Sequence, residues 1–182
     1  ITNVNFDADS LTALCKEAAT VRDGAKTLYE AACREKGVTP EKPEGPANWQ
    51  PVDGLQDLVK QGEEVSITGR MERLGPDLTG LQELLVYGLK GMGAYAYHAR
   101  ILGKEDADVY AFFHEALAFL AREPADMDRL LAMNLKCGEV NVSVLAMLDA
   151  ANTGAYGAPV PAKVRIEPVK GKAILVSGHD LK

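Results

Sequence analysis

The sequence has little cysteine and pairs none of it in the usual ways. Three cysteines, Cys15, Cys33 and Cys137, stand among 182 residues, and no C-x-x-C motif joins any two of them. Eighteen residues separate Cys15 from Cys33, which on one helix puts them on one face but about 27 Å apart, too far for a disulfide. An odd, unpatterned set of thiols fits reduced side chains packed as small hydrophobes, so a cytoplasmic location is expected. Positive charge is also scarce: the net charge is −6 and the pI about 5.1, with no basic stripe. Nucleic acid and anionic membranes are therefore poor partners. No run approaches the roughly 18 uncharged apolar residues of a membrane span. The P-loop, the Gly-x-Ser-x-Gly elbow and the dinucleotide fingerprint are all missing. The chain opens on Ile1 rather than Met, so a processed or partial chain is expected, and "ITNVNFDADS" does not read as a signal peptide.

What is present is helical periodicity. With 47% hydrophobic and 25% charged residues, the chain can bury a core without disulfides. After Asp7 and Asp9, which can cap a helix, Leu11, Leu14, Cys15, Ala18, Val21, Ala25, Leu28 and Ala32 recur at helical spacing. They predict an amphipathic helix over about 10–36 that stops at Gly37. Residues 37–54 hold four of the nine prolines and read as a loop pinned to the core by Trp49. Short helices are expected near 54–61 and 63–73. Thr79 and Gln82 have capping-box spacing, predicting the start of a helix over about 80–102 that stops at Gly103. Gly88, Gly91 and Gly93 each cost about 1 kcal/mol relative to alanine inside that helix, and so predict close helix–helix approach.

Asp106 is placed to cap a helix over about 107–122, with Val109, Phe112, Phe113, Ala116, Leu117 and Leu120 inward. A last helix, about 127–151, turns Met127, Leu130, Leu131, Leu135, Val140, Val144, Leu145 and Leu148 inward. Beyond it, "KVRIEP" and "KAILVSG" read as extended, the second as a strand buried on both faces. The expected fold is mainly α: a helical bundle domain over 1–155, then a linker and the first strand of an incomplete α/β domain over 156–182. One strand makes no sheet, so other residues or a partner must complete it. A tail strand left unpaired would promote a strand-mediated dimer.

Candidate chemistry is sparse. In a parallel α/β sheet, sites gather at the carboxyl ends of strands, and His179 follows the strand 173–177 there, with Asp180 able to cap a following helix. His98 and His114 lack the Glu-x-x-His spacing of a di-iron bundle. Glu83 and Glu139 adjoin apolar faces and read as solvated carboxylates at helix edges.

Three stretches carry a resemblance: "LQELLVYGLKGMGAYAYHARILG" (81–103), "MLDAANTGAYGAPVPAKV" (147–164) and "AILVSGHDLK" (173–182). Together with the opening "ITNVNFD", they resemble the hybrid cluster protein family. That family is also called prismane protein or hydroxylamine reductase, and is related to the nickel carbon monoxide dehydrogenases. The resemblance implies a helical N-terminal domain followed by α/β domains, this chain covering most of the first. It implies a parent that reduces hydroxylamine to ammonia and water, with nitric oxide as a further substrate, fed by a redox donor protein. The implied cofactors are a cubane iron–sulfur (4Fe–4S) cluster and a hybrid iron–sulfur–oxygen cluster. The family's Ser-Gly-His-Asp motif matches Ser177-Gly178-His179-Asp180, which implies that His179 is a metal ligand of the hybrid cluster. The cubane's cysteine motif and the glutamate and cysteine ligands that follow the histidine are absent here. This segment alone is therefore expected to bind no cluster and to be inactive. The competing expectation is a stand-alone helical interaction module whose tail strand adds to a partner's sheet.

Overall fold

The computed structural model describes residues 7–168 and 170–174. Six α-helices lie among them: α1 (Ala8–Glu35), α2 (Leu55–Glu63), α3 (Ile67–Leu74), α4 (Pro76–Ile101), α5 (Ala107–Ala121) and α6 (Met127–Tyr156), with one 3₁₀ turn at Gly45–Asn48. The chain divides into two compact units, residues 1–80 with 117–126, and residues 81–116 with 127–182. The mainly helical expectation holds. The short β segment is not seen: 163–168 and 172–174 carry no strand, and the rest of the expected strand, with His179, lies outside the described residues.

In the first unit, Asp7 caps α1 by accepting from the backbone N–H of Asp9 (3.0 Å) and Ser10 (3.1 Å). The helix ends before Gly37 at φ 64°, a conformation that glycine adopts without steric cost. The inward face differs from expectation. Val21 and Leu28 are 67% and 73% exposed, whereas Ala19 and Cys33 are buried. The face that is used receives the proline-rich segment 37–54, and the attachment is polar. The Arg22 guanidinium donates to the Trp49 carbonyl. Gln50 Nε2 donates to Asp23 Oδ2 at 3.0 Å and Lys26 Nζ to Asn48 Oδ1 at 2.9 Å. Lys16 Nζ meets Asp53 Oδ1 at 2.7 Å, and Tyr29 Oη accepts from the Glu41 N–H at 3.1 Å. Trp49 itself is only half-buried, so its carbonyl rather than its indole is what the helix grips. The short helix α2 packs against α1 and ties the loop from its other side, Gln61 Nε2 donating to the Gln50 carbonyl at 2.7 Å.

The start of α4 is also corrected. The helix begins at Pro76, whose missing N–H costs nothing in a first turn, after Gly75 at φ 81°. Thr79 and Gln82 therefore sit inside the helix, 1% and 3% exposed, and form no capping box. Its far end is as expected: Gly103 at φ 76° donates to the Arg100 carbonyl at 2.8 Å, and Lys104 N reaches the Ala99 carbonyl at 3.0 Å.

The core of the second unit is built by one face of each of three helices. Leu85, Leu89, Met92, Ala96 and Ala99 come from α4, Val109, Phe112 and Ala116 from α5, and Leu130, Cys137, Val144 and Ala151 from α6. Asp106 caps α5 as expected, accepting from Asp108 N at 2.8 Å. Of the three α4 glycines, Gly88 supports close approach: a Cβ there would lie 3.0 Å from Cys137 Sγ. At Gly93 a Cβ would meet the Phe113 ring at 3.7 Å, and at Gly91 it would meet nothing within 4 Å. Gly91 is thus a correction to the close-packing expectation. Leu117, Met127, Leu131, Leu135 and Leu145, all expected inward, are 56%, 48%, 49%, 68% and 42% exposed. Helices α5 and α6 thus carry apolar residues on more than one face.

Candidate functional site

Chemistry-bearing side chains among the described residues are scattered. No group of three or more His, Cys, Asp or Glu side chains among them could hold a metal ion. His98 on α4 is half-buried and His114 on α5 is exposed. His98 faces the Tyr97 ring edge-on, at 6.4 Å between centroids. Glu83 is half-buried and Glu139 is exposed. Helical geometry gives no shared focus to any of these.

The cysteines are free, Cys15 half-buried and Cys33 and Cys137 buried. Burial of Cys137 pushes its thiol pKa up, because the low-dielectric surroundings penalise the thiolate. Iron is ligated by the thiolate, so Cys137 is set for packing against Gly88. Cys15 and Cys33 lie on the same helix and remain far apart along it. A multi-iron cluster needs several converging donors, and the described residues do not fit one. His179, the one ligand that the sequence motif proposes, lies outside the described residues.

Polar side chains of α6 tie it to its neighbours. Asn134 Nδ2 donates to the Leu81 carbonyl at 3.0 Å and to the Leu130 carbonyl at 2.9 Å, stitching α6 to the first turns of α4. Lys136 Nζ meets Glu115 Oε2 at 2.7 Å and lies 5.6 Å from the Phe112 ring centroid, joining α6 to α5. Helix α6 is long and apolar enough by length and composition to cross a membrane, and 17% of its most apolar window is buried within the chain. Core helices of water-facing bundles pass the same test. Periodicity missed its outward apolar face because two overlapping stripes of aliphatic residues run along one helix. The signal that separates the two is the 3.5-residue step within each stripe.

Comparison with known proteins gives this arrangement a context. The model of the Prismane/CO dehydrogenase family matches residues 1–182. A hydroxylamine reductase of Rhodospirillum rubrum is 53% identical over 182 residues, covering 100% of this chain and 33% of the relative. A hydroxylamine reductase of Burkholderia lata is 49% identical over 181 residues, again 100% of this chain and 33% of the relative. One of Zymomonas mobilis is 47% identical over 183 residues, 100% of this chain and 32% of its own length. The chain thus spans about a third of the length of the curated relatives it matches.

Proposed function

We propose a function from one premise: the chain belongs to the Prismane/CO dehydrogenase family, over its whole length. In this proposal it is the helical scaffold segment of an iron–sulfur oxidoreductase that reduces hydroxylamine. The net reaction takes two electrons and two protons, breaks the N–O bond and yields ammonia and water. A separate redox donor would supply the electrons. Nitric oxide is the alternative small substrate for the same parent.

The observation that carries the scaffold role is the sparse donor set: no three potential ligands meet among the described residues, while the thiol of Cys137 is held away from its thiolate form by burial. The segment's contribution would be a rigid helical wall and one ligand. His179 in Ser177-Gly178-His179-Asp180 is the residue proposed to bind iron through a neutral imidazole nitrogen. The remaining ligands of the hybrid cluster, and all those of the cubane cluster, would come from the rest of a longer chain. The 182-residue segment by itself is therefore proposed to be inactive.

Iron analysis tests both parts. In a full-length family member carrying this segment, His179→Ala should lower iron per chain and alter the visible absorbance of the clusters. Unchanged iron and spectrum in that variant would remove His179 from the ligand set. Stoichiometric iron with brown iron–sulfur absorbance in the 182-residue chain alone would overturn the scaffold role.

A further inference from the structure

Helix α6 carries two apolar stripes, and its own unit uses only one. Leu130, Cys137, Val144 and Ala151 recur every seven residues and are buried. Beside them Leu131, Leu135, Gly138, Val142 and Leu145 follow one another in steps of 4, 3, 4 and 3. At 3.5 residues per step, side chains stay in line along a helix and form a seam that accepts the knobs of a neighbouring helix. The four large members of the seam are 49%, 68%, 67% and 42% exposed in chain order. At its centre, Gly138 has nothing within 4 Å of where a Cβ would be. The seam is therefore a ridge of aliphatic side chains with an open position at Gly138 in its middle.

We propose that this seam is the docking face for a helix supplied by the rest of a longer chain, the two thirds of the relatives' length that this segment does not match. Isolated exposed leucines need no explanation, but a contiguous aliphatic ridge on a water-facing surface marks an interaction site. The ridge repeats at helix spacing, which selects a helical occupant over an extended one. A lipid occupant is disfavoured because Glu139, four residues beyond Leu135, and Asp149, four beyond Leu145, set acidic side chains beside the ridge that an anionic lipid surface repels. The seam recurs in kind on α1, where Leu14, Val21 and Leu28 lie seven residues apart and are 38%, 67% and 73% exposed. Both units thus present an unused heptad face.

The proposal rests on the segment working within a longer protein, and not on hydroxylamine chemistry. It is therefore tested with no substrate and no iron measurement. Photolysed diazirine labels exposed side chains and is read residue by residue by mass spectrometry, on a full-length family member carrying this segment and on the 182-residue chain. Labelling of Leu135 and Val142 should fall about fivefold in the longer protein, as burial in an interface core demands, while exposed Lys104 keeps its labelling. Leu135→Glu should then lower the melting temperature of the longer protein and leave that of the 182-residue chain unchanged. Equal labelling of the seam in both proteins would overturn the proposal. So would a 182-residue chain that sediments as a dimer with the seam protected, which makes a second copy the occupant. Co-pelleting of the chain with anionic lipid vesicles, lost in Leu135→Glu, would overturn it in favour of a membrane surface.

Discussion

Gly88 and Gly91 lie three residues apart on α4, and the structure assigns different outcomes to replacing them with alanine. The helix-propensity gain is common to both, about 1 kcal/mol for glycine to alanine in a helix interior. At Gly91 nothing lies within 4 Å of the added Cβ, so that gain should appear in full. At Gly88 the Cβ would lie 3.0 Å from Cys137 Sγ, and Cys137 is only 4% exposed. The sulfur must then give by a few tenths of an ångström inside a packed core, at a cost of about 1–3 kcal/mol. The net effect at Gly88 runs from near zero to about 2 kcal/mol destabilising once the propensity gain is set against that cost. For a chain of this size about 1 kcal/mol moves the melting temperature by about 2–4 °C. Gly88→Ala should therefore melt about 2–12 °C below Gly91→Ala, followed by circular dichroism at 222 nm. A cycle with Cys137→Ala isolates the contact. With the sulfur gone, Gly88→Ala should recover its gain, giving a coupling of about 1–3 kcal/mol. If Gly88→Ala raises the melting temperature as much as Gly91→Ala does, the close approach of α4 and α6 is refuted.

Asp23 is held below the usual carboxylate range, first by the hydrogen bond from Gln50 and then by Arg22. A depressed carboxyl stabilises the fold above its unfolded pKa, and that contribution is lost as pH falls through the folded value. Pepsin cleavage within 37–54 should therefore accelerate as pH drops into the acid range. Asp23→Asn should flatten that pH dependence, and an unchanged profile would exclude Asp23 as the cause. Burial raises the Cys137 thiol, so an aromatic disulfide reagent at pH 8 should modify Cys15 well before Cys137, with the difference vanishing in denaturant. Asp106→Ala removes the acceptor at 2.8 Å from Asp108 N and should cost about 1 kcal/mol in a urea titration; no change would mean that water satisfies the first turn of α5 equally well.

Helix ends were legible in the sequence where a side chain or a glycine acts locally. Asp7, Asp106, Gly37 and Gly103 do in the structure what their chemistry implies, because caps and left-handed stops depend on a few neighbouring backbone groups. The start of α4 was misread where two local signals compete. Gly75-Pro76 begins the helix, and the Thr79–Gln82 spacing belongs to its buried interior. The inward faces of α1 and α6 were misread for a different reason. Periodicity shows that Leu28 or Leu135 lies on an apolar stripe, but not whether the covering partner is within this segment. Gly91 follows the same logic, since a helix glycine without a neighbour looks identical in sequence to Gly88 with one. The candidate ligand His179 was marked by its motif and by its place after an expected strand, while local periodicity carries no information on which distant donors would join it.

The polar attachment of the proline-rich segment to α1 affects how the unfolding of this protein will look. The sequence has a single tryptophan, and Trp49 sits in that segment, where its own carbonyl takes a hydrogen bond from Arg22. Indole emission therefore reports on a strap fastened by side-chain hydrogen bonds, while far-ultraviolet dichroism reports on the helices. The two probes need not move together. A fluorescence transition at lower denaturant than the dichroism transition would signal the strap letting go of an intact helix, and would not by itself count as a folding intermediate of the bundle.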